Sequence, residues 1–536
     1  MKGEGMNTKM LKQVIIVFCL AAALIFGLTG PGAVAGTVIR VNLDSSLKQL
    51  DPIWTTAYIV RSHAFLVYDT LFGLDKDFKV QPQMVDRYSI SDDGLLYTFT
   101  LRDGLKWHDG TAVTSKDCVA SIKRWGAKDG LGKQLMAAAE KLEIVDNKTF
   151  KLKLKYPFGM TLQALAKITS NVPFMMKEEQ ALTSPDEQVK DVIGSGPFKF
   201  VKEEFQPGLK SVYIKNEDYV PRKEPASNTA GGKVAKVDRV EIVWIPDANT
   251  VTNALIAGEI DFIQIPHSDH LPRLREAKAV KVENFDPLGL QCVLRLNHTQ
   301  PPFDNPKARQ AALWATNVEM AVRSAAGNDP HLFNVCPSMY PCGSFFASDV
   351  GSKPLMQQDF AKAKQLLKEA GYNGEKIVIL HATDDTIINM QTLVTGQNLR
   401  KAGFTVELQA MDWSTLVGRR AIKKPASEGG WNAFQTWFNG PDFLNPAEHM
   451  AISADCDKSW FGWPCDEQIE KLRTAFGKET DPQKQKEIAV AIQKRAFEVV
   501  TYVSLGTVYQ PSAYRSELDG LIKSPVPIFW NVSKKK

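Results

Sequence analysis

The sequence predicts a mixed α/β fold, and three observations lead there. Short runs of β-branched and aromatic residues alternate along the chain with stretches whose apolar residues recur at helical spacing. The starts of those stretches carry capping signals. The composition, 44% hydrophobic and 9% aromatic over 536 residues, holds too much apolar material for a disordered chain and enough for a large core. At about 150 residues per domain the length asks for roughly three domains. A formal charge of +5 on so large a surface leaves no electrostatic footprint for nucleic acid. The closing Lys534, Lys535 and Lys536 are read as a solvated tail.

Thr37 to Leu43 and Leu96 to Leu101 read as strands, and Lys141 to Lys155 as a hairpin broken by Asp146-Asn147. Asp238 to Ile245 and Glu259 to Ile265 are strands around a helix at Ala248 to Gly258. Lys376 to Leu380 and Phe404 to Met411 repeat that pattern around a helix that ends near Lys401 and Gly403. Thr114-Ser-Lys-Asp117 is a capping box, while Asn305-Pro306 and Asp481-Pro482 each place a cap before an N1 proline. Phe360 to Ala370 is a helix stopped by Gly371. The Pro-, Gly- and Lys-rich stretch from Pro221 to Val237 reads as an exposed loop.

One long apolar run, Val14 to Leu28, follows Lys9 and Lys12 and is broken by Gly30-Pro31-Gly32 before Ala33-Val-Ala35. This is the pattern of a secretory signal peptide over residues 1–35, cleaved near Ala35. The run is shorter than the roughly 20 residues of a spanning helix. Cleavage removes Lys2, Lys9, Lys12, Glu4 and Cys19 and brings the formal charge from +5 to +3. Export would permit disulfides, because the compartment is oxidising. Cys336 with Cys342, and Cys456 with Cys465, would each staple a short loop. Zinc is the alternative for both pairs, but neither spacing is C-x-x-C and no His lies within either loop. Cys118 and Cys292 read as buried free thiols.

Catalytic signals are sparse. The chain has no H-E-x-x-H, G-x-S-x-G, P-loop or strand-linked G-x-G-x-x-G. Gly194-Ser-Gly-Pro197 reads as a turn entering a strand. His267 and His270, three apart, are read as surface residues rather than a metal pair. No metal or cofactor is expected.

Tyr68-Asp-Thr-Leu-Phe-Gly-Leu, Gln81-Pro-Gln-Met-Val-Asp and the run from Tyr97 through Leu105-Lys-Trp-His-Asp-Gly110 to Asp117 closely resemble the signature region of the family 5 extracellular solute-binding proteins, the periplasmic dipeptide and oligopeptide type. Gly194-Ser-Gly-Pro-Phe198, Val237-Asp-Arg-Val-Glu-Ile, Asn253 to Asp261, Phe303 to Ala312 and Ala361 to Gly371 continue in family order. The resemblance implies a two-lobed periplasmic-binding-protein clam-shell (type II, cluster C) with an additional inserted domain. The first lobe would combine 36–72, 191–288 and 506–536, the inserted domain would span 73–190, and the second lobe 289–505. A ligand would be trapped between the lobes by hinge closure, without enzymatic chemistry.

The same resemblance points to Thr55, Thr56, Ala57 and Tyr58 on the first lobe as ligand-binding residues. On the second it points to Asp384, Asp385, Trp413, Trp437, Asn439 and Asp442, with both Trp as flat apolar contacts. The chain departs from the dipeptide binders at two anchors. Gly440 stands where they carry the Asp that holds the α-amino group. Asp384 and Asp385 stand in the loop that carries their carboxylate-binding Arg, for which Arg419 or Arg420 are the candidate replacements. Asp384, Asp385, Asp412 and Asp442 would favour a cationic group. The expected function is capture of a peptide or related amine-bearing solute for the membrane permease of an ABC importer, by a monomer. A sugar, opine-like conjugate or metal chelate is the alternative cargo, because fold does not determine ligand; a secreted hydrolase is the remote alternative.

Overall fold

The computed structural model describes residues 36–535; the N-terminal apolar run and its cleavage site lie outside them. A seven-stranded sheet has the order Phe198–Phe200, Lys210–Lys215, Arg239–Val243, Val38–Asn42, Phe262–Ile263, Ser512–Arg515, Val280–Glu283. Its centre is parallel: Val38–Asn42 pairs in that sense with both neighbours. The flanking pairs are antiparallel. The first and last described parts of the chain therefore share one sheet. A six-stranded sheet runs Phe333–Asn334, Val503–Val508, Leu290–Leu296, Ala433–Asn439, Lys376–Ala382, Thr405–Met411. A four-stranded antiparallel sheet, Val85–Ile90, Leu96–Leu101, Thr149–Leu154, Ala139–Ile144, forms a third body.

The local signals explain these elements. Thr114 and Asp117 form the reciprocal capping box that starts the helix Ser115–Lys128. Asn305 accepts from the Lys307 amide ahead of the helix Pro306–Ala315, and Asp481 caps Pro482–Val499 in the same way. Gly258 ends the helix Ala248–Ala257 in the left-handed conformation, at φ +80°. Lys376–Ala382 and Thr405–Met411 pair in parallel, as the connecting helix Thr386–Lys401 requires. Gly194 and Gly196 are needed for contact rather than for a turn. A Cβ at Gly194 would meet the Val67 carbonyl oxygen at 1.9 Å. Cys336 is joined to Cys342 and Cys456 to Cys465, while Cys118 and Cys292 are free and buried.

Two expectations need correction. The 221–237 stretch is not simply exposed: residues 228–233 are buried, and Lys233 forms a fully buried ion pair with Asp69 at 2.7 Å. The pairing compensates for the charge that composition alone would have sent to solvent. Lys534 is not a free tail, since Ser533–Lys534 pairs with Leu518–Asp519 and the Lys534 ammonium lies 2.7 Å from Asp261. Val503–Val508 pairs with Leu290–Leu296 along its length, so the second sheet holds the chain through 508.

The chain thus crosses between the two large sheets at 284–289 and 509–511. Gly289 lies in the first crossing at φ +64°, and its would-be Cβ meets Thr507 and Tyr509 side-chain atoms at 2.7 Å. Only glycine lets the two crossings pack this closely.

Candidate functional site

The first-lobe wall of the cleft is a loop tied from behind. Asp51 accepts from the backbone amides of Ile53 and Trp54, and its other oxygen takes Arg124 at 2.7 Å in a buried ion pair. The Asn171 amide lies within 3.0 Å of the carbonyls of Pro52, Ile53 and Thr55. Arg124 lies on the helix Ser115–Lys128 and Asn171 follows the strand Thr149–Leu154, so the stretch that holds the four-stranded sheet positions the loop. The helix Tyr58–Val67 starts directly after it.

Tyr58 reaches across to the second lobe. Its hydroxyl donates to Asp442 Oδ2 at 2.6 Å, and its ring stacks on Trp437 with centroids 6.3 Å apart and planes 16° apart. Trp437 sits near the end of the strand Ala433–Asn439, and Asp442 on the short turn Gly440–Phe443 that follows. Trp437 Nε1 donates to Asp385 Oδ2 at 2.9 Å. Burial pushes the Tyr58 phenol well above its usual range, and the neighbouring Asp442 adds to this. Burial likewise raises the carboxyls of Asp442 and Asp385.

Between these groups lies a cavity of about 70 Å³, lined by Asp44, Tyr58, Arg61, Asp286, Trp437 and Gln510 among others. Arg61 lies three residues beyond Tyr58, on the same helix face, with its guanidinium carbon 4.4 Å over the Tyr58 ring. It is buried and donates to the Ile168 carbonyl at 3.2 Å. Burial lowers its affinity for its proton, opposed by Tyr58, Asp442, Asp44 and Asp286. Desolvation raises Asp44 to about 6 and Asp286 to about 7, although Arg61 pulls both down. The cleft thus sets several carboxyls against one guanidinium, and an incoming cation would relieve their cost.

The expected residues divide clearly. Tyr58, Trp437 and Asn439 line the cavity, and Asp442 is held by Tyr58 just behind it. Asp385 supports Trp437 and also caps the helix Thr386–Lys401 through the Ile388 amide. Asp384 accepts from the Trp413 amide at 2.7 Å, and Asp412 caps Trp413–Arg419. Trp413 is absent from the cavity wall: its ring lies beneath Arg420 and packs on the cluster containing Trp431 and Phe434. Thr55 Oγ1 accepts from the Ala57 amide, Ala57 is the N-terminal cap position of the helix, and exposed Thr56 lies outside the wall. Arg419 donates to the carbonyls of Gly429 and Gly430, and Arg420 covers Trp460 and Phe461; neither lines the cavity. Position 440 cannot carry an amine anchor. A Cβ there would stand 2.2 Å from Leu288 Cβ.

Sequence reasoning missed Arg61, Asp44, Asp286 and Gln510. Arg61, inside the mostly apolar helix 58–67, was the available signal, because a buried arginine there must find polar partners. Asp44, Asp286 and Gln510 lie just beyond strand ends or in the crossings, where acidic and amide residues look like ordinary turns. Burial pushes the Cys292 thiol up to about 12, so it is unreactive. His267 and His270 have ring centroids 5.6 Å apart, yet among the described residues no group of three or more His, Cys, Asp and Glu is placed to hold a metal. No helix among those residues is long and apolar enough to cross a membrane.

Comparison with known proteins agrees with this architecture. Residues 79–460 match the family described as bacterial extracellular solute-binding proteins, family 5 Middle. The chain is 41% identical over 507 residues to a probable peptide ABC transporter periplasmic-binding protein, y4tO, of Sinorhizobium fredii, covering 93% of this chain and 94% of that one. It is 28% identical over 511 residues to the glutathione-binding protein GsiB of Salmonella typhi, at 91% and 92% coverage. Among solved structures, the periplasmic binding protein DppA of Helicobacter pylori in complex with the peptide STSA superposes with a TM-score of 0.76 at 22% identity, over 94% of this chain and 98% of that one. AgaA from A. tumefacien R10, in complex with agropinic acid, gives 0.76 at 23% identity, over 93% and 99%. With two lobes joined by two crossings and a matching family signature over most of its length, the chain belongs to the bacterial extracellular solute-binding proteins, family 5.

Proposed function

We propose that this protein is the periplasmic substrate-binding component of an ABC importer, which captures a peptide or related amine-bearing solute between its lobes and hands it to the membrane permease. The observation that carries the cargo class is the interlobe cavity, where Asp44 and Asp286 stand beside a flat aromatic pair and one buried arginine. The 41%-identical Sinorhizobium protein, named for peptide transport, supports the same class. The lobes are assembled from 36–72, 191–288 and the C-terminal segment on one side and from 289 onward on the other, with 73–190 inserted. The chain is exported with cleavage near Ala35, works as a monomer and performs no chemistry on its cargo.

Cargo contacts made by both lobes favour the closed arrangement over the open one. Native mass spectrometry of the processed protein, purified without denaturation and offered a library of short peptides, tests this directly. A retained mass that matches peptides, with compaction in small-angle scattering, is the expected result. Retention of a mass matching no peptide, or no compaction at saturation, refutes it.

A further inference from the structure

Three polar atoms on residues of the cavity wall are buried and find no partner in the protein: Asp44 Oδ1, Arg61 Nε and Gln510 Oε1. Arg61 is only 3% exposed. Buried polar groups are ordinarily paired, so a cluster of orphans around one cavity marks where a ligand's own polar atoms belong. All three sit on the first lobe or on the 509–511 crossing. Asp286 joins them on the cavity wall, where its Oδ1 already accepts from the Leu288 amide at 2.9 Å.

The second lobe has little left to offer an ammonium group. Asp442 is engaged by Tyr58, Asp385 by Trp437 and Ile388, Asp384 by Trp413, and position 440 has no room for a side chain. The orphan set asks for a cationic donor, an acceptor and a further donor. A side-chain ammonium or a diamine meets the carboxylates but leaves Arg61 Nε without an acceptor. A single amino acid supplies a carboxylate to Arg61, and the third N–H of its ammonium reaches Gln510. The amino end of a peptide supplies the same donors and acceptor, and the peptide reading above selects it.

We propose that Asp44, Asp286, Arg61 and Gln510 form a first-lobe subsite for the free amino end of a peptide. Its ammonium sits against Asp44 and Asp286, its first carbonyl oxygen accepts from Arg61 Nε, and its first amide N–H donates to Gln510 Oε1. This deepens the peptide reading above and rests on it. The cargo is held on the first lobe before closure, and Trp437 then covers it from the second. The raised carboxyls of Asp44 and Asp286 fit this role, because an ammonium supplies the positive charge that burial denies them.

The test offers the processed protein one short-peptide library in three forms, free, N-acetylated and C-amidated, read by native mass spectrometry and then by calorimetry on the best binder. Free and C-amidated forms should bind alike, and N-acetylation should weaken binding by roughly tenfold or more, as loss of a charge-assisted hydrogen bond does. Asp44→Asn and Gln510→Ala, each checked for a normal melting transition, should weaken the free peptide and narrow the gap to the acetylated one. Equal binding of free and acetylated peptides, or unchanged affinity in both variants, overturns the subsite and leaves the peptide reading standing. If no form of any peptide binds, the peptide reading falls and the subsite falls with it.

Discussion

The Tyr58 hydroxyl donates to the Asp442 carboxylate at 2.6 Å, which joins the first helix of one lobe to the end of a strand in the other across some 380 residues of chain. The same ring is stacked on Trp437. Tyr58→Phe keeps the stack and deletes the bond, leaving the buried carboxylate to the Ser170 amide. A hydrogen bond to a charged group contributes about 1.5–3 kcal/mol, enough to move a two-state equilibrium by a factor of ten or more. The variant should show a larger radius of gyration than the parent protein when both are stripped of cargo. Identical scattering curves would mean that the bond does not hold the lobes together.

Trp437 combines an apolar face toward the cavity with a hydrogen bond to Asp385. Trp437→Ala should weaken cargo binding several-fold or more and change the melting temperature little, because the side chain is half-buried at a cleft rather than in the core. Trp437→Phe should recover part of the affinity through its ring. A large drop in melting temperature with unchanged affinity would assign the residue to the core.

Asp286 is held at a pKa of about 7 in the folded protein, against 3.8 for the free side chain, by burial and by Asp442, with Arg61 opposing. The sign follows from linkage: the contribution to stability is complete below about pH 4 and is lost as pH rises through about 7. Asp286→Asn should therefore melt higher than the parent at pH 8 and close to it at pH 4. Its affinity for cargo should fall, since the subsite loses a carboxylate. A variant that melts lower than the parent at pH 8 would contradict this balance. In the parent, affinity should weaken as pH falls from 8 to 5, as Asp286 and Asp44 take up protons in competition with the cargo ammonium.

Gly440 donates its amide to the Gly289 carbonyl at 2.9 Å and has Leu288 where a side chain would go. Gly440→Ala should cost about 1–3 kcal/mol, the range for overpacking, and lower the melting temperature. It should also perturb closure, because Leu288 and Gly289 belong to a crossing between the lobes. A neutral substitution there would show that the crossing yields more readily than its packing suggests.

Much of this protein is written locally. Strand runs, capping boxes, N1 prolines and terminating glycines depend on neighbours within a few residues, so the α/β class and most elements were legible before any contact was known. The family motifs extended that to two lobes and to Tyr58, Trp437, Asn439 and Asp442 at or beside the cleft. The placement of Trp413 was not legible, because a tryptophan after a strand looks the same whether it faces a cleft or an aromatic cluster, and only the packing of Arg420, Trp431 and Phe434 distinguishes them. Lys233 and Lys534 read as solvated for a like reason: their partners, Asp69 and Asp261, are far away in sequence.

By itself, then, the sequence determined the fold class, the order of its elements and the family, since these follow from short-range periodicity and signature segments. Only the tertiary structure decided which charges share the cleft. Asp44, Arg61, Asp286, Asp442 and Gln510 lie in five separate stretches of the chain, and their chemistry exists only once the two lobes and their crossings bring those stretches around one desolvated space.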